Sequence, residues 1–256
     1  MKQVLATIIS NSEVMPETHL IWLDSPQIAD EARPGQFVMV RCGEDNEILL
    51  RRPLSIHQRD GNKIALLFTV VGKGTTWLSQ RPAEDMIDIF GPLGHGFSIH
   101  PVSHHLLLVA GGIGIAPLYF LTQEALNQWH SVMLLLGVST ATQLYAKHLL
   151  LPEAKFVTTT EDGTAGKKGI ITDLLPEFVG WAEQIFACGP LPMYRTMAQM
   201  PELKNRQVQV SLEVSMGCGV GICYGCTLKT KGGLKQVCKD GPIFNLEDIL
   251  WDELNY

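Results

Sequence analysis

Four cysteines near the C-terminus carry the clearest chemistry in this chain. Cys218, Cys223, Cys226 and Cys238 stand in the order C-x4-C-x2-C-x11-C, the first three inside the glycine-rich run Gly217-Cys-Gly-Val-Gly-Ile-Cys-Tyr-Gly-Cys226. Thiolates at this spacing suit a [2Fe-2S] cluster, because the first three match the plant-type ferredoxin pattern and the glycines let backbone amides approach the sulfurs. Two other readings stay open. A structural zinc site more often uses two CxxC units, and only one is present. A disulfide set requires an oxidising compartment. Cys42 lies outside the loop and reads as a small buried hydrophobe.

A second candidate site is the run Leu106-Leu-Leu-Val-Ala-Gly-Gly-Ile-Gly-Ile-Ala-Pro117, a strand feeding a glycine turn and then a helix. Gly111, Gly112 and Gly114 are placed to bring a pyrophosphate onto that helix start, with Pro117 in its first turn. The pattern is G-G-x-G-x-x-P rather than G-x-G-x-x-G, so a tight turn without ligand is the competing reading. The following strand ends at Gly137-Val-Ser-Thr140 with neither an acidic residue for a ribose hydroxyl nor an arginine for a 2′-phosphate, which leaves only a slight preference for NAD over NADP. A later strand runs into Ala187-Cys-Gly-Pro190, where Gly189 and Pro190 end it at the carboxyl edge used by α/β sheets for ligands. Cys188 then lies either near a nicotinamide or packed beneath the turn.

Near the other end, Arg52-Pro53-Leu54-Ser55 puts a guanidinium and a hydroxyl on one strand, followed by Gly72-Lys-Gly74-Thr75 at a turn. Arginine, hydroxyl and glycine amides suit a flavin pyrophosphate and the polar atoms of its ring, although singly they more often mark a solvated strand end and a loop. His57, His95, His104 and His105 have no metal-ligand spacing with a cysteine and are expected at the surface or in turns.

The elements that must position these groups fall into three regions. Residues 1–99 alternate short β-rich runs with turn signals, for example Phe37–Val40, Ile64–Val71 and Met86–Phe90, which predicts an antiparallel barrel or sandwich. Residues 100–212 alternate apolar strands (Leu106–Ala110, Val132–Val138, Lys155–Thr160, Gln184–Ala187, Val208–Leu212) with helical patterns such as Pro117–Trp129, which predicts a parallel α/β sheet. Residues 213–256 hold the cysteine loop, a polar hairpin over Lys229–Lys235 and an expected terminal helix at Leu246–Leu254, a module too small to fold without its cluster.

Composition excludes several classes. The chain has 256 residues, 46% of them hydrophobic, and a net charge of −6 without basic blocks, so no nucleic-acid footprint is expected. The longest uncharged stretch, Leu106 to Gln123, contains three glycines and a proline, so no membrane span is expected. The N-terminus lacks a signal-peptide pattern, which points to a cytoplasm that keeps the thiols reduced.

Taken together, Arg52–Ser55, Gly72–Thr75, Gly91-Pro-Leu-Gly94, Ala110–Gly114, Cys188–Pro190 and the cysteine loop resemble the ferredoxin–NAD(P) reductase superfamily, and within it the electron-transfer subunits of NAD-dependent bacterial dihydroorotate dehydrogenases. The most specific segments are Ser215–Cys226 and Val237-Cys-Lys-Asp-Gly-Pro-Ile-Phe244. The resemblance implies an FAD-binding β-barrel over 1–99, an NAD-binding α/β domain over 100–212 and a [2Fe-2S] module over 213–256. Arg52, Pro53, Leu54 and Ser55 would hold the flavin, with Leu67, Phe68, Thr69, Gly74 and Thr75. Phe68 and Thr69 stand where the family often has Tyr-Arg, so Arg52 would carry more of the phosphate contact. The arginine common before the cluster is also missing from Glu213–Met216, and the x11 spacing to Cys238 is short for the family.

The implied partner is an FMN-containing catalytic subunit that oxidises dihydroorotate, in a heterotetramer of two plus two, serving pyrimidine biosynthesis. Hydride transfer moves two electrons and the cluster takes one, so FAD would sit between NAD and the cluster. No substrate acid–base residue is then expected here, in keeping with the lack of a nucleophile–base motif. Two alternatives remain: another FAD/[2Fe-2S] NAD(P)H reductase serving ferredoxin or a hydrogenase, and a zinc-bound scaffold without activity.

Overall fold

The computed structural model describes residues 1–43 and 48–254. Six strands, β1 (Lys2–Met15), β2 (Thr18–Asp24), β3 (Phe37–Val40), β4 (Arg52–Asp60), β5 (Lys63–Thr69) and β6 (Met86–Leu93), close into an antiparallel barrel in the order β1-β2-β5-β4-β3-β6. Short helices α1 (Pro26–Ala29) and α2 (Lys73–Ser79) join its strands. The chain then builds β7 (His105–Gly111), α3 (Ile115–Asn127), β8 (Ser131–Val138), β9 (Lys155–Thr160), β10 (Lys167–Lys168), α4 (Ile171–Leu174), α5 (Pro176–Val179), β11 (Gln184–Cys188), α6 (Leu191–Gln199) and β12 (Val208–Ser211). These strands lie parallel in the order β10-β9-β8-β7-β11-β12. After the cysteine loop come the hairpin β13 (Thr227–Thr230) and β14 (Gly233–Gln236), helix α7 (Val237–Asp240) and β15 (Ile243–Asn245).

The two-residue period of the strands distributes their side chains among three cores. On β5, Ile64, Leu66 and Phe68 fill the barrel interior, while Ala65 and Leu67 turn outward onto α3. On β7, Leu106, Leu108 and Ala110 face that same α3 layer, whereas Leu107 and Val109 face the opposite layer of the sheet. On β3, Val38 and Val40 point into the barrel, and Phe37 and Met39 join the layer that also contains Cys226, Val237, Cys238 and Trp251. One packed layer therefore runs from the barrel through the sheet to the cysteine module. Strand β15 extends the sheet by pairing antiparallel with β12, Gln209 opposite Asn245 and Ser211 opposite Ile243.

Two expectations fail. The segment Leu246–Leu254 is not an α-helix but two 3-10 turns, Leu246–Asp248 and Trp251–Glu253. Between them Ile249 bridges to Thr230 of the hairpin, and the Trp251 indole N–H donates to the Leu246 carbonyl at 2.8 Å. Burying Leu246, Ile249, Trp251 and Leu254 against the sheet takes precedence over helical propensity here. His57 is likewise not at the surface. It is fully buried between β4 and α3, with Nδ1 2.9 Å from the Ala116 carbonyl and Nε2 2.8 Å from the Tyr145 hydroxyl. Burial, partly offset by the Ala116 bond, pushes its pKa down to about 4.

Candidate functional site

The glycine turn after β7 is shaped by close approach to the end of β11. Gly114 touches the backbone of Cys188, so that a Cβ there would overlap the Cys188 carbonyl and come 2.9 Å from the Gly189 nitrogen. A Cβ on Gly111 would lie 2.7 Å from the Pro190 ring, whereas Gly112, with φ +55°, faces open space. Only glycine gives this approach and this left-handed turn without strain. The two strand ends and the barrel enclose a cavity of about 700 Å³ whose wall includes Thr69, Gly111, Gly112, Gly114, Gly189 and Pro190. Sequence motifs far apart in the chain thus meet in one cavity, at the carboxyl edge of a parallel sheet where such folds take nucleotides.

Cys188 takes the packed position. Its side chain is fully buried, and burial with the neighbouring Glu213 charge raises its pKa well above the ordinary thiol value. The Tyr194 hydroxyl lies beside it, accepting from the Gly189 N–H at 2.9 Å and donating to the Ser211 carbonyl at 2.6 Å. Glu213 reaches the cavity wall, where crowding by protein atoms raises its pKa. Neither Tyr194 nor Glu213 stands out in the sequence. The one signal is that Glu213 lies two residues beyond β12, the strand that borders β11.

On the barrel, Arg51 and Arg52 differ sharply. Arg51 makes a two-pronged pair with Asp88, at 3.0 and 2.6 Å, and also donates to the Asp88 carbonyl at 3.1 Å. Arg52 donates to the Leu50 carbonyl at 2.7 Å and, among the described residues, has no carboxylate partner. Its Nε lies where a Cβ on Gly74 would come within 2.8 Å. The Thr75 hydroxyl accepts from the Val71 and Gly72 amides at 2.9 and 3.2 Å, which fixes this turn beside the guanidinium. Pro53, Leu54 and Ser55 continue β4, half-buried, opposite Met39, Val38 and Phe37. Leu67 and Phe68 point into packed cores, which leaves only their backbone to meet any ligand, while Thr69 reaches the cavity and shares a hydroxyl contact of 3.2 Å with Thr18. A cation without a carboxylate partner beside a glycine cradle is a fitting place for a phosphate of a flavin nucleotide.

Two of the four cysteine sulfurs lie in contact and a third is ringed by amides. Cys226 and Cys238 sulfurs lie 3.2 Å apart, and the Cys223 amide approaches the Cys218 sulfur at 3.5 Å. Amides of Val220 and Ile222 also point at Cys218, at 3.5 and 3.3 Å, and that of Gly221 points at Cys238 at 3.1 Å. Burial would raise the Cys218 thiol, yet these amides hold it down to about 6. Cys238 is pushed up to about 12 by burial and by the adjacent Cys226. Among the described residues no three side chains converge on a single ion. Four cysteines in one loop region, with backbone amides aimed at the Cys218, Cys226 and Cys238 sulfurs, fit a binuclear iron–sulfur cluster better than a mononuclear zinc site. The loop lies against the barrel: a Cβ on Gly219, φ +75°, would meet Met39 at 2.7 Å and Leu93 at 3.2 Å.

Comparison with known proteins agrees with this arrangement. Residues 213–250 match the iron–sulfur cluster binding domain of dihydroorotate dehydrogenase B, and residues 108–199 match the oxidoreductase NAD-binding domain. The dihydroorotate dehydrogenase B (NAD(+)) electron transfer subunit of Desulforamulus reducens is 40% identical, over 96% of this chain and 98% of its own. The chain belongs to that family. The electron transfer subunit of Clostridium acetobutylicum is 41% identical over 87% of this chain and 88% of its own. Among solved structures, the NADH-dependent reduced ferredoxin-NADP oxidoreductase of flavin-based electron bifurcation superposes with a TM-score of 0.87 at 31% identity, covering 98% of this chain and 91% of that one. The expected fold class, a β-barrel followed by an α/β nucleotide-binding domain and a C-terminal cluster module, is thus that of the electron transfer subunits and their reductase relatives.

Proposed function

We propose that this chain is the subunit through which electrons pass between a dihydroorotate-oxidising partner and NAD, by way of a [2Fe-2S] cluster and FAD. The observation that carries the reading is the placement of the cysteine loop on barrel strand β3, through Gly219 and Met39, while the other side of the barrel walls the nucleotide cavity through Thr18 and Thr69. FAD, when bound, exchanges a hydride with a nicotinamide and single electrons with an iron–sulfur centre. The chain's own residues supply binding and exclusion of water. Arg52 and the Gly74–Thr75 turn take the flavin phosphates, with Pro53, Leu54, Ser55 and the Leu67–Thr69 strand end beside the ring. Gly111, Gly112 and Gly114 admit the dinucleotide pyrophosphate to the start of α3, and Gly189 and Pro190 form the nicotinamide end with the Cys188 backbone beneath. Cys218, Cys223, Cys226 and Cys238 ligate the irons. The division into regions 1–99, 100–212 and 213–256 follows these three tasks.

The partner is a catalytic subunit carrying FMN, assembled two plus two with this chain, in the cytoplasm. Among the described residues no helix is long and apolar enough to cross a membrane. Co-expression with the neighbouring gene product and assay of dihydroorotate-dependent NADH formation test the proposal. A colourless chain containing stoichiometric zinc, or an assembly without that activity, would reject it. The likeness to the ferredoxin-NADP oxidoreductase favours one second reading, a reductase that serves ferredoxin. It gains if NADH reduces ferredoxin through the isolated chain and dihydroorotate yields no NADH in the assembly.

A further inference from the structure

The parallel sheet places an acidic side chain where the sequence of the second strand offers none. Strands β7, β8 and β9 lie side by side, so the ends of β8 and β9 at Ser139 and Glu161 flank the glycine turn that receives a pyrophosphate. With the nicotinamide end at Gly189 and Pro190 after β11, on the other side of β7, the adenosine half of a dinucleotide falls across the β8 and β9 ends. Ser139 and Glu161 both line the cavity there. The Ser139 hydroxyl donates to Glu161 Oε1 at 2.8 Å, and the Glu161 amide donates to the Val138 carbonyl at 3.1 Å, which holds the carboxylate at this edge. The adjacent Asp162 is differently employed. Its Oδ1 accepts from the Thr164 amide at 3.0 Å and the Thr164 hydroxyl at 2.6 Å, and so organises its own loop.

We propose that Glu161 sets the preference of this site for NAD over NADP, accepting a hydroxyl of the adenosine ribose and repelling a 2′-phosphate. The inference rests on the reading of the cavity as the NAD site. Its charge balance agrees: the described wall carries three carboxylates, Glu17, Glu161 and Glu213, and no lysine, arginine or histidine. Of the nearest lysines in sequence, Lys155 lies over the Phe178 ring, Lys167 pairs with Glu177 and Lys168 lays its methylenes along Gly163. A 2′-phosphate would enter this wall without a counter-charge, and like charges brought together are a strong means of rejecting the wrong ligand.

The test is calorimetric binding of NAD+ and of NADP+ to the FAD- and cluster-loaded chain, as wild type and as Glu161→Gln, with unchanged visible spectra as the check on folding. Glu161→Gln should weaken NAD+, tighten NADP+ and lower the ratio of Kd for NADP+ to Kd for NAD+ by roughly tenfold or more. Added salt should relieve the penalty against NADP+ in the wild type more than in the variant. If the wild type binds NAD+ and the variant keeps the same ratio, Glu161 does not discriminate and only this inference falls. If the wild type binds neither nucleotide, the reading of the cavity falls with it.

Discussion

Adjacent arginines at the start of β4 should fail in opposite ways when truncated. Arg51 and Asp88 are 24% and 16% exposed, and removing Arg51 leaves the Asp88 carboxylate with the Gln3 amide, at 3.1 and 3.0 Å, as its remaining side-chain partner among the described residues. A pair this sheltered lies between a surface ion pair and a buried one, so Arg51→Ala should cost about 1–2 kcal/mol of stability. For a chain of this size that lowers Tm by roughly 2–8 °C. Arg52 makes one bond to the Leu50 carbonyl and holds no carboxylate among the described residues, so Arg52→Ala should leave Tm of the flavin-free chain nearly unchanged. It should instead remove a charge-assisted phosphate contact, about 1.5–3 kcal/mol, or roughly 10- to 150-fold in the Kd for FAD. Flavin fluorescence titration and thermal unfolding of flavin-free protein separate the two quantities. Equal loss of FAD affinity in both variants, or a Tm loss in Arg52→Ala as large as in Arg51→Ala, would refute the assignment of Arg52 to the phosphates.

Gly114→Ala should weaken NAD+ binding and destabilise the chain by about 1–3 kcal/mol, because the added methyl must force the glycine turn away from the Cys188 backbone; unfolding midpoints and NAD+ affinity equal to wild type would contradict the close approach. Cys223→Ser should abolish electron exchange with the partner yet leave NADH reduction of bound FAD intact, since serine oxygen is a poorer ligand for iron than thiolate. Stopped-flow reduction checks it, and loss of both reactions with FAD retained would show the division of labour to be wrong. His57 is held neutral down to about pH 4, against 6.5 for an ordinary imidazole, so on acidification the unfolded chain takes up the proton first. Its stabilising contribution is complete above about pH 6.5 and is lost as pH falls towards 4, with a slope of up to about 1.4 kcal/mol per pH unit. Urea unfolding at several pH values should show that slope in wild type and not in His57→Gln; equal slopes would exclude His57 as the titrating group.

What the sequence reveals is what local pattern encodes. The apolar runs of β5, β7 and β8 announce strands because each is buried on both faces, and the glycines after β7 announce a turn because a side chain at Gly114 would strike the neighbouring strand end. The cysteine spacing is equally local. Other features are set by partners distant in the chain. His57 reads as one more polar residue on a strand, and only the Ala116 carbonyl, 59 residues away, and the Tyr145 hydroxyl make its burial tolerable. The end of the second strand has no acidic residue of its own, but Glu161, just past the end of the third, is brought to Ser139 by the pairing of β8 with β9. Leu246–Leu254 carries apolar residues at helix-like spacing, yet the same residues serve a chain that crosses a hairpin.

The cysteine module draws much of its packing from its neighbours. A segment of this length has little core of its own, and here β15 completes the parallel sheet at β12, while Cys226 and Cys238 share a packed layer with Met39 of the barrel and Val109 of the sheet. Arg195 on α6 ties down the other end, donating to the Trp251 carbonyl at 3.2 Å and to the Leu254 carbonyl. Cys223 is by contrast exposed, on the part of the loop farthest from that layer in burial, flanked by exposed Ile222 and Tyr224. Losing the Cys223 thiolate should therefore disturb the loop around residues 218–225 while β13, β14 and β15 stay docked. The same substitution at Cys226 or Cys238 would place a hydroxyl in the shared apolar layer and loosen the module itself. Protease sensitivity of the segment after residue 226 should rise in Cys226→Ser and not in Cys223→Ser. If both variants become equally sensitive, the cluster rather than the shared layer holds the module in place.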